Sequence, residues 1–366
     1  FINLIVLYRH QQRICSCAVH TSDGLLSTEA FKGIALQLID DGFEQKLLTI
    51  FQDLLLSVFF DQTEVDLKIL WVDEVLIEEN LLMDILFLAY YDNFCSCKIE
   101  QWITMCSLFK DVLCGSLNIG KVAVSTEARN SFAHVKAKML LILVETLELE
   151  NLLHMVHDEI PFREGGSVFS VIDIKEMDAQ VSSFYDMGAV EAGALLLAWA
   201  VFLSLLLSLH ETDNSSILME IDHISYVRQA FEVAAFDYIL EILRNGTFRD
   251  SDGPVSGYLS VMRTFLSAFI ASYELSHQKE DNTLIKILDI LYHIYHGEES
   301  LALQFWDKEC FVDGPIRSIL FMLEKEYPID ITEFVRLLSA VCEGSWPAEC
   351  VYVILSFLLL FISVAV

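Results

Sequence analysis

Apolar residues recur three and four positions apart along most of this chain, with acidic residues filling the positions between. Phe43–Phe60 and Val65–Tyr91 show the pattern clearly, and Glu127–Val156 (EARNSFAHVKAKMLLILVETLELENLLHMV) carries it furthest. It returns over Ile221–Leu243, Tyr258–Ser276, Thr283–Tyr295, Ile316–Lys325 and Ile331–Cys342. A period near 3.6 marks amphipathic helices that each bury one stripe. Two interruptions, HDEIPFREGG (157–166) and RNGTFRDSDGPVSG (244–257), have the Gly, Pro and Asp content of loops between packed elements. Asp330 with Glu333 is arranged like a capping box, and Pro315 and Pro347 sit where first helical turns would begin. No series of alternating strands competes, and the Asn245–Gly246 pair falls between helical patterns. The pattern therefore predicts an all-α chain of stacked helices with short connections. No fixed period emerges, so any repeats are degenerate and unlike tetratricopeptide or ankyrin units.

Two stretches break the amphipathic rule by being apolar all round. AGALLLAWAVFLSLLLSL (Ala192–Leu209) has eighteen residues without a charge, the lower limit for a bilayer span. Its flanks are Glu191 on one side and His210, Glu211 and Asp213 on the other; the nearest basic residues are Lys175 and Arg228. That leaves no positive-inside signal, and Trp199 lies mid-run instead of at an interface. The expectation is a helix buried on all sides within a large helical protein, with Glu191 and His210 marking where it meets water. The second stretch, CVYVILSFLLLFISVAV (Cys350–Val366), has 17 uncharged residues. It reads as a core helix, a short tail anchor, or translated non-coding sequence after Tyr352.

Composition adds to this picture. With 54% hydrophobic residues, a mean hydropathy of +0.47, five prolines and 15 glycines in 366 residues, few breakers interrupt strong helix formers. Against 23 basic residues stand 53 acidic ones, a formal net charge of −30. Such a surface repels phosphate backbones and anionic headgroups, which argues against direct nucleic-acid and membrane-surface binding. Nine cysteines in no regular framework spacing suggest reduced thiols. The start at Phe1, without a basic n-region, reads as the beginning of a fragment.

Chemical motifs are weak. GSLNIGKV (Gly115–Val122) nearly spells a phosphate-binding loop, but Val122 has no hydroxyl for Mg²⁺ and no strand precedes it, so a helix–helix connection is expected. The CSC pairs at Cys15–Cys17 and Cys95–Cys97, with Cys106 and Cys114 downstream, are spaced too closely to wrap zinc, and buried thiols are expected. His154 with His157, and His293 with His296, have the H-x-x-H spacing that can share a helix face, without a third ligand; they read as surface or boundary histidines. There is no G-x-S-x-G elbow and no C-x-x-C. No catalytic, cofactor-binding or metal-binding residue is assigned, no cofactor is expected, and partner-contact residues cannot be named from the pattern.

Several long stretches in colinear order do resemble a known family. They are LIEENLLMDILFLAYYDNF (Leu76–Phe94), VSTEARNSFAHVKAKMLLILVETLELENLLHMVHDEIPFREG (Val124–Gly165), ASYELSHQKEDNTLIKILDILYHIYHGEESLALQFWD (Ala271–Asp307) and FVDGPIRSILFMLEKEYPIDITEFVRLLSAVCEGSWPAECVY (Phe311–Tyr352). Together they resemble the N-terminal region of the inner-ring scaffold nucleoporin of the 188-kilodalton class, especially its plant members, over most of residues 70–352. The resemblance implies an irregular, HEAT/ARM-like α-solenoid in the nuclear pore complex, without catalysis. The implied partners are other inner-ring nucleoporins and transport receptors, and the implied location is the nuclear envelope. On this reading residues 1–352 form part of one continuous N-terminal α-solenoid, with sub-boundaries near 157–170 and 244–257. Residues 353–366 do not resemble the family and stand as an apolar tail. Two other classes stay open: a soluble transport-receptor-like helical-repeat protein binding basic cargo or a small GTPase, and an integral membrane protein using Ala192–Leu209 and Cys350–Val366.

Overall fold

The computed structural model describes residue 37 and residues 41–57, 65–92, 95–115, 125–160, 169–209, 221–244, 254–273 and 282–365. Within these the chain is all-α, with no strand. The helices are α1 (Phe43–Ser57), α2 (Val65–Tyr91), α3 (Ile99–Cys114), α4 (Thr126–Glu145), α5 (Leu149–His157), α6 (Val171–Ser182) and α7 (Val190–Leu209). They continue as α8 (His223–Glu232), α9 (Ala235–Arg244), α10 (Val255–Ser272), α11 (Thr283–Tyr295), α12 (Glu299–Trp306), α13 (Gly314–Glu326), α14 (Ile331–Ala340) and α15 (Ser345–Ala365).

Two of the long helical patterns split. Glu127–Val156 becomes α4 and α5, because the chain turns at Thr146–Glu148 and Glu148 takes the left-handed conformation, with φ 51°. Ile221–Leu243 becomes α8 and α9 around Ala234, at φ 59°. Neither corner carries Gly, the residue that usually accepts this conformation at little cost, so neither was marked in the sequence. The capping signals also fare unevenly. Asp330 precedes α14 but its side chain makes no capping bond, because its backbone (φ −103°, ψ 49°) departs from the extended form that aims an N-cap side chain inward. A full capping box forms instead at α6, where the Ser170 hydroxyl accepts from the Asp173 amide and the Asp173 carboxylate accepts from the Ser170 amide. Pro315 does lie in the first turn of α13.

Packing proceeds along the chain. Helix α1 packs on α2 and α3, α2 and α3 pack on α4, and α4, α5 and α6 all pack on α7. Beyond it, α7 meets α8, α9 and α10; α9 and α10 meet α11; α11 meets α12 and α14; α10 meets α13; and α12 meets α15. One contiguous apolar core runs through this stack from Leu47 to Val351.

Helix α7 sits at the middle of the stack, with six helices around it, which is why it can be apolar all round. Ala192 through Phe202 are buried without a break, as are Leu203, Leu205, Leu206 and Leu209. Burying a Leu side chain is worth roughly 1.5–3 kcal/mol, so this one element anchors much of the molecule. Among the described residues it is the one helix long and apolar enough to cross a membrane. Glu191 is only half-buried, where it pairs with Lys136 of α4; His210 lies outside the described residues. The indole nitrogen in the middle of the helix is satisfied: Trp199 Nε1 donates to Asp178 Oδ1 at 2.8 Å, and Tyr226 Oη donates to the same oxygen at 2.9 Å. Gly193 is required here by close approach. A Cβ on it would lie 2.2 Å from Val233 Cγ2, at the α8–α9 corner.

A buried polar tie joins elements far apart in sequence. Lys138 of α4 reaches Asp84 Oδ1 of α2 at 2.8 Å, and Tyr258 of α10 donates to the same oxygen at 2.5 Å, across 174 residues. Charged groups survive burial only when paired in this way.

Candidate functional site

A concavity opens at the α4–α5 corner, a cleft of about 590 Å³. Its floor follows from the turn just described. With Glu148 in the left-handed conformation, Glu145, Glu148 and Glu150 are gathered around one corner. Tyr91 from the end of α2, Val261 and Thr264 from α10, and Phe311 close the other sides.

Phe311 is held in place by a densely bonded loop, residues 307–313. Asp313, fully buried, accepts from Tyr295 Oη at 2.5 Å, from Arg263 Nη1 at 3.4 Å and from Cys310 Sγ at 3.5 Å. Arg263 also donates to Gln304 Oε1 at 2.7 Å. Arg317 donates to the carbonyls of Phe305, Asp307 and Cys310 at 2.5–2.9 Å, and Ser267 donates to that of Val312. A loop with this many bonds from its own backbone is a fixed wall.

The cleft is acidic and its acids are poorly hydrated. Burial lifts Glu145 to about 7, and the charges of Glu150 and Glu148 push in the same direction. Burial raises Glu148 as well, opposed by a hydrogen bond from Asn151. Tyr91 is raised first by burial. Carboxyls raised by burial and set between aromatic walls form a surface that a cation would ionise and hold, by Coulomb attraction in a partly desolvated setting and by the ring faces. They form no nucleophile–base pair.

His154 lines this cleft, and His157 lies beside its Phe311 wall. The His154 ring meets Phe311 edge-on at 5.0 Å and its Nε2 lies 3.2 Å from Asp158; His157 faces Phe311 at 6.4 Å. His296 stacks on Tyr292 at 4.9 Å and reaches Glu343 at 2.9 Å, while His293 meets the edge of Tyr292 at 5.6 Å. Each histidine of these pairs has aromatic or carboxylate company, and among the described residues no group of three or more His, Cys, Asp or Glu is placed to hold a metal ion.

The cysteines follow burial. Cys97 and Cys106 are buried and Cys95 half-buried, and desolvation raises all three thiols to about 12, which keeps them protonated and unreactive at neutral pH. Cys114, at the end of α3, is exposed, against the expectation of a buried thiol. No cysteine among the described residues is in a disulfide. Cys15–Cys17 lie outside the described residues, as does the segment Ser116–Val122 of the phosphate-loop-like motif; its Gly115 caps the C-terminal end of α3 at φ 63°.

None of the cleft acids was identifiable from sequence. ETLELENLL reads as a solvated helix face, and only the unmarked turn at Glu148 gathers its carboxylates. Phe311 lay within a quoted stretch, but nothing in the pattern links it to residues 160 positions earlier. No protein-family model and no curated protein matches the chain.

Proposed function

We propose that this chain is a structural scaffold of the nuclear pore's inner ring, working as part of an N-terminal α-solenoid and supporting pore assembly and nucleocytoplasmic transport by protein–protein docking. The observation that carries the reading is the colinear resemblance of four long stretches to the 188-kilodalton-class nucleoporins, across most of residues 70–352. Most helices pack on others near them in the chain, which fits an irregular solenoid, while α10 also meets α4 and α5. The mechanism is architectural: the continuous core holds the faces rigid, and partners dock on them. In this reading the partners are inner-ring nucleoporins and transport receptors, the protein is at the nuclear envelope, and α7 is a core helix and not a span.

The test is reconstitution. The full chain, mixed with inner-ring nucleoporins, is expected to co-elute with at least one of them, and a tagged copy is expected to label the nuclear rim and to leave membranes on carbonate extraction. No co-elution with any of them, or retention in the carbonate pellet, overturns the reading. The acidic cleft favours a second one, a transport-receptor-like protein that holds basic cargo. Co-elution with basic cargo but not with inner-ring nucleoporins would select it.

A further inference from the structure

Helix α2 turns an apolar face outward as well as inward. Leu70 is 62% exposed, Trp71 48%, Ile77 50% and Leu81 37%, an unusual density of large apolar side chains on one solvent-facing ridge. Their spacing, with two helical turns from Leu70 to Ile77 and a third to Leu81, puts them along one side of the helix over about 16 Å. Glu74 and Glu78 lie on the same exposed side, between the apolar positions. A face of this kind matches the way one amphipathic helix lays its anchors along another.

We propose that this ridge docks a cationic amphipathic helix of a partner protein, with apolar anchors against Leu70, Trp71, Ile77 and Leu81 and Lys or Arg side chains against Glu74 and Glu78. The charges choose the occupant. A second copy of the chain would have to pack antiparallel about the ridge's midpoint, and the register that sets Trp71 against Leu81 sets Glu74 against Glu78. Acid would then face acid across an apolar seam, in a molecule whose net charge is already −30. A basic helix meets the same register with opposite charges. The ridge offers the same chemistry whichever assembly the chain joins.

Dye-labelled Leu/Lys and Leu/Glu amphipathic peptides of about 18 residues, long enough to hold a helix, can be titrated with the full chain and read by anisotropy. The Leu/Lys peptide is expected to bind in the micromolar range, more weakly as salt rises, and the Leu/Glu peptide is not. Trp71→Ser combined with Ile77→Ser is expected to weaken binding about tenfold or more, since anchors carry most of the energy. Glu74→Lys with Glu78→Lys is expected to reverse the preference to the Leu/Glu peptide. All four positions are exposed, so unchanged helicity and melting temperature verify the fold of each variant. Leu/Lys binding that ignores both double variants would be general attraction to an acidic surface and overturns the proposal. So does a concentration-dependent dimer, seen by light scattering, that Trp71→Ser with Ile77→Ser abolishes, because the ridge would then belong to a second copy.

Discussion

Glu79 lies on the inward side of α2, fully buried, and neither of its carboxylate oxygens has a hydrogen-bond partner among the described residues. Burial alone raises it to about 8, so at neutral pH it is mostly protonated. An unfolded chain would hold the same group near 4.5. Between those values the folded state binds more protons, so the contribution of Glu79 to stability is fully present below about pH 4.5 and is lost as pH rises through 8. Glu79→Gln removes the titrating group at almost constant shape. It is expected to stabilise the protein by roughly 2–4 kcal/mol at pH 8 and by little at pH 4, measured by urea denaturation at both. An equal gain at both values would mean that the carboxyl is not buried as described. Asp313 is the contrasting case, a buried acid with both carboxylate oxygens bonded. Asp313→Ala leaves Arg263 charged and Tyr295 unpaired inside the core, and should cost about 3–5 kcal/mol in the same assay. Neither role can be read from sequence, where Glu79 is one more acid on an amphipathic helix and Asp313 one more acid in a connection.

Between elements, the approach of α7 to the α8–α9 corner sets the tightest constraint. Gly193→Ala gains about 1 kcal/mol of helix propensity but places its methyl inside Val233, an overpacking that typically costs about 1–3 kcal/mol. The expected net result is a lower melting temperature that Val233→Ala restores, since Val233 Cγ2 is the atom in the way. Additive effects in the double variant would show that the helices simply move apart. The elements themselves were largely legible. Val65–Tyr91 and Thr283–Tyr295 appear with the bounds their periodicity gave, and five others within a few residues. What the pattern missed were the helices α3, α6 and α12 and the corners at Glu148 and Ala234. A helical period continues through a left-handed residue without a change in spacing, and only Gly would have announced it. The candidate cleft was lost with the first of these corners.

On the scale of the whole molecule, charge is the dominant unbalanced quantity. With 53 acids against 23 bases, the folded chain concentrates repulsion that an unfolded chain spreads out. Raising salt from about 0.02 to 0.3 M shortens the screening length severalfold and is expected to raise the melting temperature, followed by circular dichroism. A fall would mean that attractive pairs such as Lys136–Glu191 and Lys286–Asp237 outweigh the net field.

The sequence by itself determined that the chain is helical, that its helices are amphipathic with acidic outer faces, and that Ala192–Leu209 must be covered on every side. Those properties follow from local spacing and composition, which folding cannot alter. It left open what would cover that helix, and only the tertiary structure decided that six neighbouring helices do so. The same holds for the acids. Sequence counts them alike, whereas packing made Glu79 neutral, made Asp313 a hub, gathered Glu145, Glu148 and Glu150 into a cleft, and left Glu74 and Glu78 on an open ridge. The energy of a carboxylate depends on its solvation and partners, and these are set by residues as distant in sequence as Asp84 and Tyr258.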